Sequence, residues 1–172
     1  MLNMSSLDVI KDILDKEMQM PKGRVFAYNS NVDLPQDRDL FIVLHYTSKT
    51  PYSNNIRYVS TENGLEEHQT SNFVEDILIS LMSVNNDARD RGHEVLMALK
   101  STYAQTLQES KGLHITTQGD IVDKSFLEAT SRYNRFDVRA KVYISYDKVV
   151  NVDYYDKFPN TSTFEPEFLI DR

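Results

Sequence analysis

Residues Phe136 to Tyr146 (FDVRAKVYISY) alternate without a break between two kinds of side chain. Phe136, Val138, Ala140, Val142, Ile144 and Tyr146 fall on one side, and Asp137, Arg139, Lys141, Tyr143 and Ser145 on the other. Successive side chains of an extended backbone point to opposite faces, so this is a long strand with one face on a core and one face in water. A strand of that kind belongs to an antiparallel sheet, because the strands of an all-parallel sheet are buried on both faces.

The other elements can be placed around it. Ser5 and Ser6 precede Leu7, Ile10, Ile13 and Leu14, a serine cap followed by helical spacing, and Pro21 and Gly23 end that helix near Met20. Arg24–Tyr28 reads as a strand, Asn29–Asp39 as a polar loop, and Leu40–Tyr46 (LFIVLHY) as a central strand. Thr47–Asn55, with Pro51 and paired asparagines, reads as a loop. Short strands are expected at Ile56–Ser60 and Leu65–Thr70 around the turn Glu62-Asn63-Gly64, and another at Phe73–Met82. A second helix opens at Asn85-Asn86-Asp87, capped by asparagine, carries Val95, Leu96, Leu99 and Tyr103, and continues with a bend to Ser110 before Gly112. Leu113–Thr117 is a strand, Gln118-Gly119-Asp120 a turn and Ile121-Val122 a brief extended piece. The fold class is therefore α+β: an antiparallel or mixed sheet packed with two main helices, in one domain over residues 1–156. Residues 157–172 hold Pro159, Pro166, Phe158, Phe164 and Phe168 without a period, and read as an extended C-terminal arm.

Most catalytic chemistries lack their residues. There is no cysteine, hence no disulfide, thiol nucleophile or thiolate metal site. The five glycines are isolated, so no glycine-rich loop can cradle a phosphate. His45, His68, His93 and His114 are not paired at metal-ligand spacing, and His45 reads as a histidine at the core edge rather than a base. Asp87, Asp90, His93 and Glu94 read as a solvated helix face. The aspartates around Pro35 lack the spacing of a calcium loop. The expectation is a structural protein, not an enzyme, with no cofactor and no metal. No apolar run approaches the ~20 residues of a membrane helix, and Met1–Lys16 lacks a signal peptide's basic start and apolar stretch, so residence in the cytosol is expected. A net charge of −7 argues against affinity for nucleic acid phosphates. Arg139, Lys141 and Tyr143 on the wet face suit a protein interface better than a base-stacking platform.

The order of elements resembles that of the neck and tail-terminator proteins of tailed bacteriophages. In that family a strand of the form "svq.y" runs into a helix that begins with a small residue after an acid; here the place reads ISLMSVNNDA, Ile79 to Ala88. A late strand of the form "yE.Ra.v.v.f" corresponds to RFDVRAKVYISY, Arg135 to Tyr146, with Arg139-Ala140 as the best local match. Asp137 stands where a glutamate is usual, and a tryptophan expected before the first strand is missing. The resemblance, which runs over roughly Leu40 to Tyr146, implies a virion component assembled in the host cytoplasm. It implies self-association into a ring, a hexamer in such proteins, that caps the tail tube and joins it to head-completion proteins while DNA passes through without specific binding.

On that reading the candidate subunit interface comprises Phe158, Phe164 and Phe168 of the arm with Arg139, Lys141 and Tyr143. Candidate tube-docking loops carry Tyr52, Asn54, Asn63 and Gly64. Candidate channel-facing acids are Asp33, Asp37, Glu62, Glu66 and Glu67. The alternative is a monomeric adaptor or assembly-chaperone domain that binds one protein partner.

Overall fold

The computed structural model describes residues 5–28, 35, 37–62, 64–128 and 131–152. Their elements are α1 (Ser6–Glu17), β1 (Val25–Ala27), β2 (Phe41–Thr61), β3 (Gly64–Ser83), α2 (Asp87–Asp90), α3 (Gly92–Leu99), α4 (Thr102–Lys111), β4 (Leu113–Asp123), β5 (Phe126–Glu128) and β6 (Ser131–Val152). The fold is α+β. The main sheet runs β1-β2-β3-β6-β4, with β5 paired to β6. It is mixed: β1 pairs with β2 in parallel, and every other pairing is antiparallel.

The alternating segment behaves as its pattern requires. Val138, Ala140 and Val142 are buried on the face that carries the helices. They meet Ile77, Ile79 and Leu81 of β3, Ile42 and Leu44 of β2, and Ile115 of β4 in one core with Val9, Ile10, Ile13 and Leu14 of α1. α3 and α4 add Val95, Leu99 and Ala104 to it. A smaller cluster of Phe26, Phe41 and Val43, with Met82, lies on the opposite face of the sheet. There Asp137 departs from the expected wet pattern. It is buried, and Arg135 binds it through Nε at 2.9 Å and Nη2 at 3.1 Å, so the charge leaves water only together with its partner.

α1 starts at a reciprocal box in which Ser5 and Asp8 each accept from the other's backbone N–H, as the cap reading requires. The second helical region is three helices, because the chain breaks at Arg91 and again at Lys100-Ser101. Ser101 caps α4 by accepting from the Ala104 N–H. Gly112 ends α4 at φ 64°, a left-handed conformation that costs glycine nothing. Asn86 does not cap α2 with its side chain. The buried Ser83 hydroxyl does that work, accepting from Ala88 N–H at 3.0 Å and donating to the Asn85 carbonyl at 2.7 Å.

The strands are longer than the sequence signals suggest. Thr47–Asn55 is not a loop: β2 runs from Phe41 to Thr61 as one strand, with irregularities between Tyr46 and Ser48 and between Pro51 and Ser53. Proline breaks an interior strand because it lacks an N–H. Beyond Leu44, however, β1 no longer pairs with β2, so among the described residues Pro51 lies on a strand with no partner on one side, and a bulge absorbs it. Leu65–Thr70 and Phe73–Met82 likewise join into β3, and Leu113–Thr117 continues through Gly119 (φ 60°) to Asp123, with the register shift of β4 falling between Gln118 and Val122.

Candidate functional site

The sheet has two parts of different width. Near the helices it is five strands wide, from β1 to β4. Pairing with β1 stops at Leu44 and pairing with β4 stops at Ile144. Among the described residues, only β2, β3 and β6 continue beyond those points, as Ser53–Thr61, Gly64–Asn72 and Ser145–Val152. This three-stranded blade extends roughly 26 Å along Ser145–Val152 at ~3.3 Å per residue, and none of its described residues is buried. A short sheet without a covered apolar face is marginal in water. Ile56, Tyr58 and Val149 are all more than half exposed on it, and Tyr52 is equally exposed at its root.

The pairing register assigns side chains to the two faces. The face continuous with the helix layer carries Ile56, Tyr58, Leu65, Glu67, Gln69, Lys148 and Val150. The other face carries Asn55, Arg57, Glu66, His68, Thr70, Asp147 and Val149. Each face has its own polar order. Tyr58 and Gln69 donate to Glu67, which holds that carboxyl below the usual range, with Gln69 the larger cause, and raises the Tyr58 hydroxyl. On the other face His68 Nε2 is 3.1 Å from Glu66, and Thr70 donates to Asp147 at 2.6 Å.

A charged cluster holds the root of the blade. Glu75 is buried on the helix side, where it accepts from the Ser6 hydroxyl of α1 and lies 3.1 Å from Lys49 Nζ. Lys49 also donates to the Tyr146 hydroxyl at 2.9 Å, and its ammonium lies 4.1 Å from the Tyr146 ring centroid. The cluster therefore ties α1, β2, β3 and β6 together at the level of the β2 irregularities. On the opposite face the Tyr143 ring lies 6.0 Å from Tyr52 and 6.2 Å from His114, an aromatic row across β2, β6 and β4. Beside it Ser48, Asp76, Gln118, Arg139 and Lys141 border a shallow groove of about 310 Å³.

The candidates read from sequence separate on this frame. Arg139, Lys141 and Tyr143 share the face away from the helices, and Tyr52, placed with the docking loops by sequence, joins Tyr143 there. Asn54, paired with Ser71, faces the other way. Gly64 lies at the tip of the blade, where Thr61 donates to its carbonyl at 3.1 Å, and the exposed Glu62 is beside it. Glu66 and Glu67 lie on opposite faces. Asp37 is far from both in role: Arg24 grips it with two hydrogen bonds, which hold its carboxyl below the usual range. Asp33, Asn63, Phe158, Phe164 and Phe168 lie outside the described residues. The Lys49–Glu75–Tyr146 cluster escaped the sequence reading, because its members are distant in the chain and each is unremarkable alone. The His45 ring lies tilted against Tyr28 with centroids 4.8 Å apart, and burial pushes its pKa down. Among the described residues no group of three or more His, Asp or Glu side chains could hold a metal ion, and no helix is long and apolar enough to cross a membrane.

Comparison with known proteins gives one family. The model of the family described as phage neck terminator protein matches residues 5–167, from the α1 cap to beyond β6. No curated protein matches the chain.

Proposed function

The chain belongs to the phage neck terminator family, a structural part of the virion neck, and from that premise we propose that it forms a ring at the head-proximal end of the tail. The ring caps the tail tube, joins it to the head-completion proteins, and leaves a channel through which DNA passes without specific binding. A hexamer is the stoichiometry we favour, assembled in the host cytoplasm. The observation that carries this reading is a family match over almost the whole chain, combined with a blade that no other described residue covers. Closed rings need one surface patch to meet a different patch on the next copy. The two unlike sides of the molecule, and the arm 157–172 with its three phenylalanines, supply such patches. The tip at Thr61–Gly64 and the aromatic row around Tyr52 are our candidates for the tube contact. Because Glu66 and Glu67 point to opposite faces, only one of them can line a given channel; the other must look outward.

Electron microscopy of the purified protein, alone and mixed with tail tubes, tests the reading. Closed rings seated on one end of the tubes are expected. A protein that stays monomeric and leaves tube ends bare refutes it.

A further inference from the structure

Resting on the ring reading above, we infer that the blades of successive copies join edge to edge. The outer edge of β2 in one copy pairs with the outer edge of β6 in the next. Among the described residues the β2 edge has no strand partner beyond Leu44, and the β6 edge has none beyond Ile144. Open edges of this kind present rows of unpaired backbone N–H and C=O groups and are templates for another strand. A two-fold dimer through one edge would leave the other edge open in both copies. Joining unlike edges consumes both, and in a closed ring no blade edge remains open.

Direction and register follow from the topology. β2 and β6 both run antiparallel to β3, so they run parallel to each other. Rotation about a ring axis preserves direction, so the joint between copies is a parallel pair. The two faces of the sheet continue across it only if the register shifts by an even number of residues. Within one blade Arg57 is level with His68 and Val149. A two-residue offset places Arg57 of one copy beside Asp147 of the next, with Val59 beside Val149. Arg57 is exposed and has no ion-pair partner among the described residues, and Asp147 has only the Thr70 hydroxyl. The joint thus gains a cross-strand pair of opposite charge.

The shape is consistent with this joint. The body is two strands wider than the blade, so bodies must sit at larger radius than the joined blades. The two irregularities of β2, Tyr46/Ser48 and Pro51/Ser53, lie at the junction, where bulges bend a strand and increase its twist. The helix layer then lies outside, and the face with Glu66, Asp147 and Arg57 lies inside.

The chain contains no cysteine, so disulfide trapping is clean. Arg57→Cys is combined with Asp147→Cys, Val149→Cys or Asn151→Cys, all on the inner face, and each protein is oxidised mildly after its native mass is recorded. Neighbouring strands lie ~4.8 Å apart, within the Cα separation a disulfide spans. A ladder of covalent oligomers from at least one double variant, with none from any single variant, is expected. A covalent dimer from Arg57→Cys alone shows like-edge pairing and overturns the inference. A ring by native mass with no cross-link in any of the three doubles also overturns it, while leaving the ring reading intact. A monomer at every concentration, with and without tail tubes, overturns both.

Discussion

Lys49→Met removes the ammonium from the blade root and leaves the Glu75 carboxylate, whose side chain is only 7% exposed, without its cation. Breaking a buried pair from one side costs about 3–5 kcal/mol. Two features reduce that figure here: the Ser6 hydroxyl still donates to Glu75, and the Lys49 side chain is itself 30% exposed, so water already reaches the pair. One feature raises it, since the ammonium also lies over the Tyr146 and Phe73 rings, an interaction of about 0.5–1 kcal/mol at exposed sites. The net expectation is a loss of about 2–4 kcal/mol, or roughly 5–15 °C in Tm for a chain of this length. The double variant Lys49→Met/Glu75→Leu should recover most of it, because apolar groups of similar volume often replace a buried pair at little cost. Urea unfolding of wild type, both single variants and the double closes the cycle. A loss below about 0.5 kcal/mol in Lys49→Met, or single effects that add without coupling, refutes the account.

Other expectations follow from single features. Ser83→Ala should cost about 1–3 kcal/mol in urea unfolding, because the Ala88 N–H loses its acceptor where no water replaces it. Gly112→Ala forces a Cβ into the left-handed conformation and should cost about 1–2 kcal/mol by thermal unfolding. Carboxyl NMR should titrate Asp37 and Glu67 below their unfolded values. Their stabilisation is then present above the unfolded pKa and disappears as pH falls through the lowered one. Asp15 has the opposite sign: burial raises its pKa and its Oδ1 has no hydrogen-bond partner among the described residues, so its contribution is lost as pH rises through the raised value. Asp15→Asn should therefore be no less stable than wild type at neutral pH and should remove that part of the pH dependence.

What sequence revealed here was local periodicity, and what it hid was register. The Phe136–Tyr146 strand, the Ser5 cap, the apolar run from Leu40 and the stop at Gly112 were all legible, because each depends on neighbours within a turn or a strand. The blade was not. Proline and asparagine around Pro51 argue for a loop unless it is known that β1 ends at Ala27, opposite Leu44, and that among the described residues no other strand pairs with that side of β2. The helix break at Lys100-Ser101 carried a signal in Ser101, a good N-cap inside an apolar stripe, which the longer period concealed. The family resemblance, carried by Ile79–Ala88 and Arg135–Tyr146, extends over nearly the whole chain. The candidate site divides in the same way. Arg139, Lys141 and Tyr143 share a face because alternation requires it, whereas Glu66 and Glu67, adjacent and alike in sequence, must part for that same reason.

The position of β6 has a consequence for synthesis. It lies inside the main sheet, between β3 and β4, yet it is the last strand of the described chain to emerge. Until residues 131–152 leave the ribosome, β3 and β4 have no common neighbour, and Ile77, Ile79 and Leu81 lack the Val138 and Ala140 that complete their layer. The β2–β3 hairpin can form early, but closing the sheet must bring residue 152 back to residue 65. Such non-local pairing is slow, and the waiting hairpin exposes apolar surface. A chain cut short before Ser131 should thus aggregate rather than persist as a smaller domain.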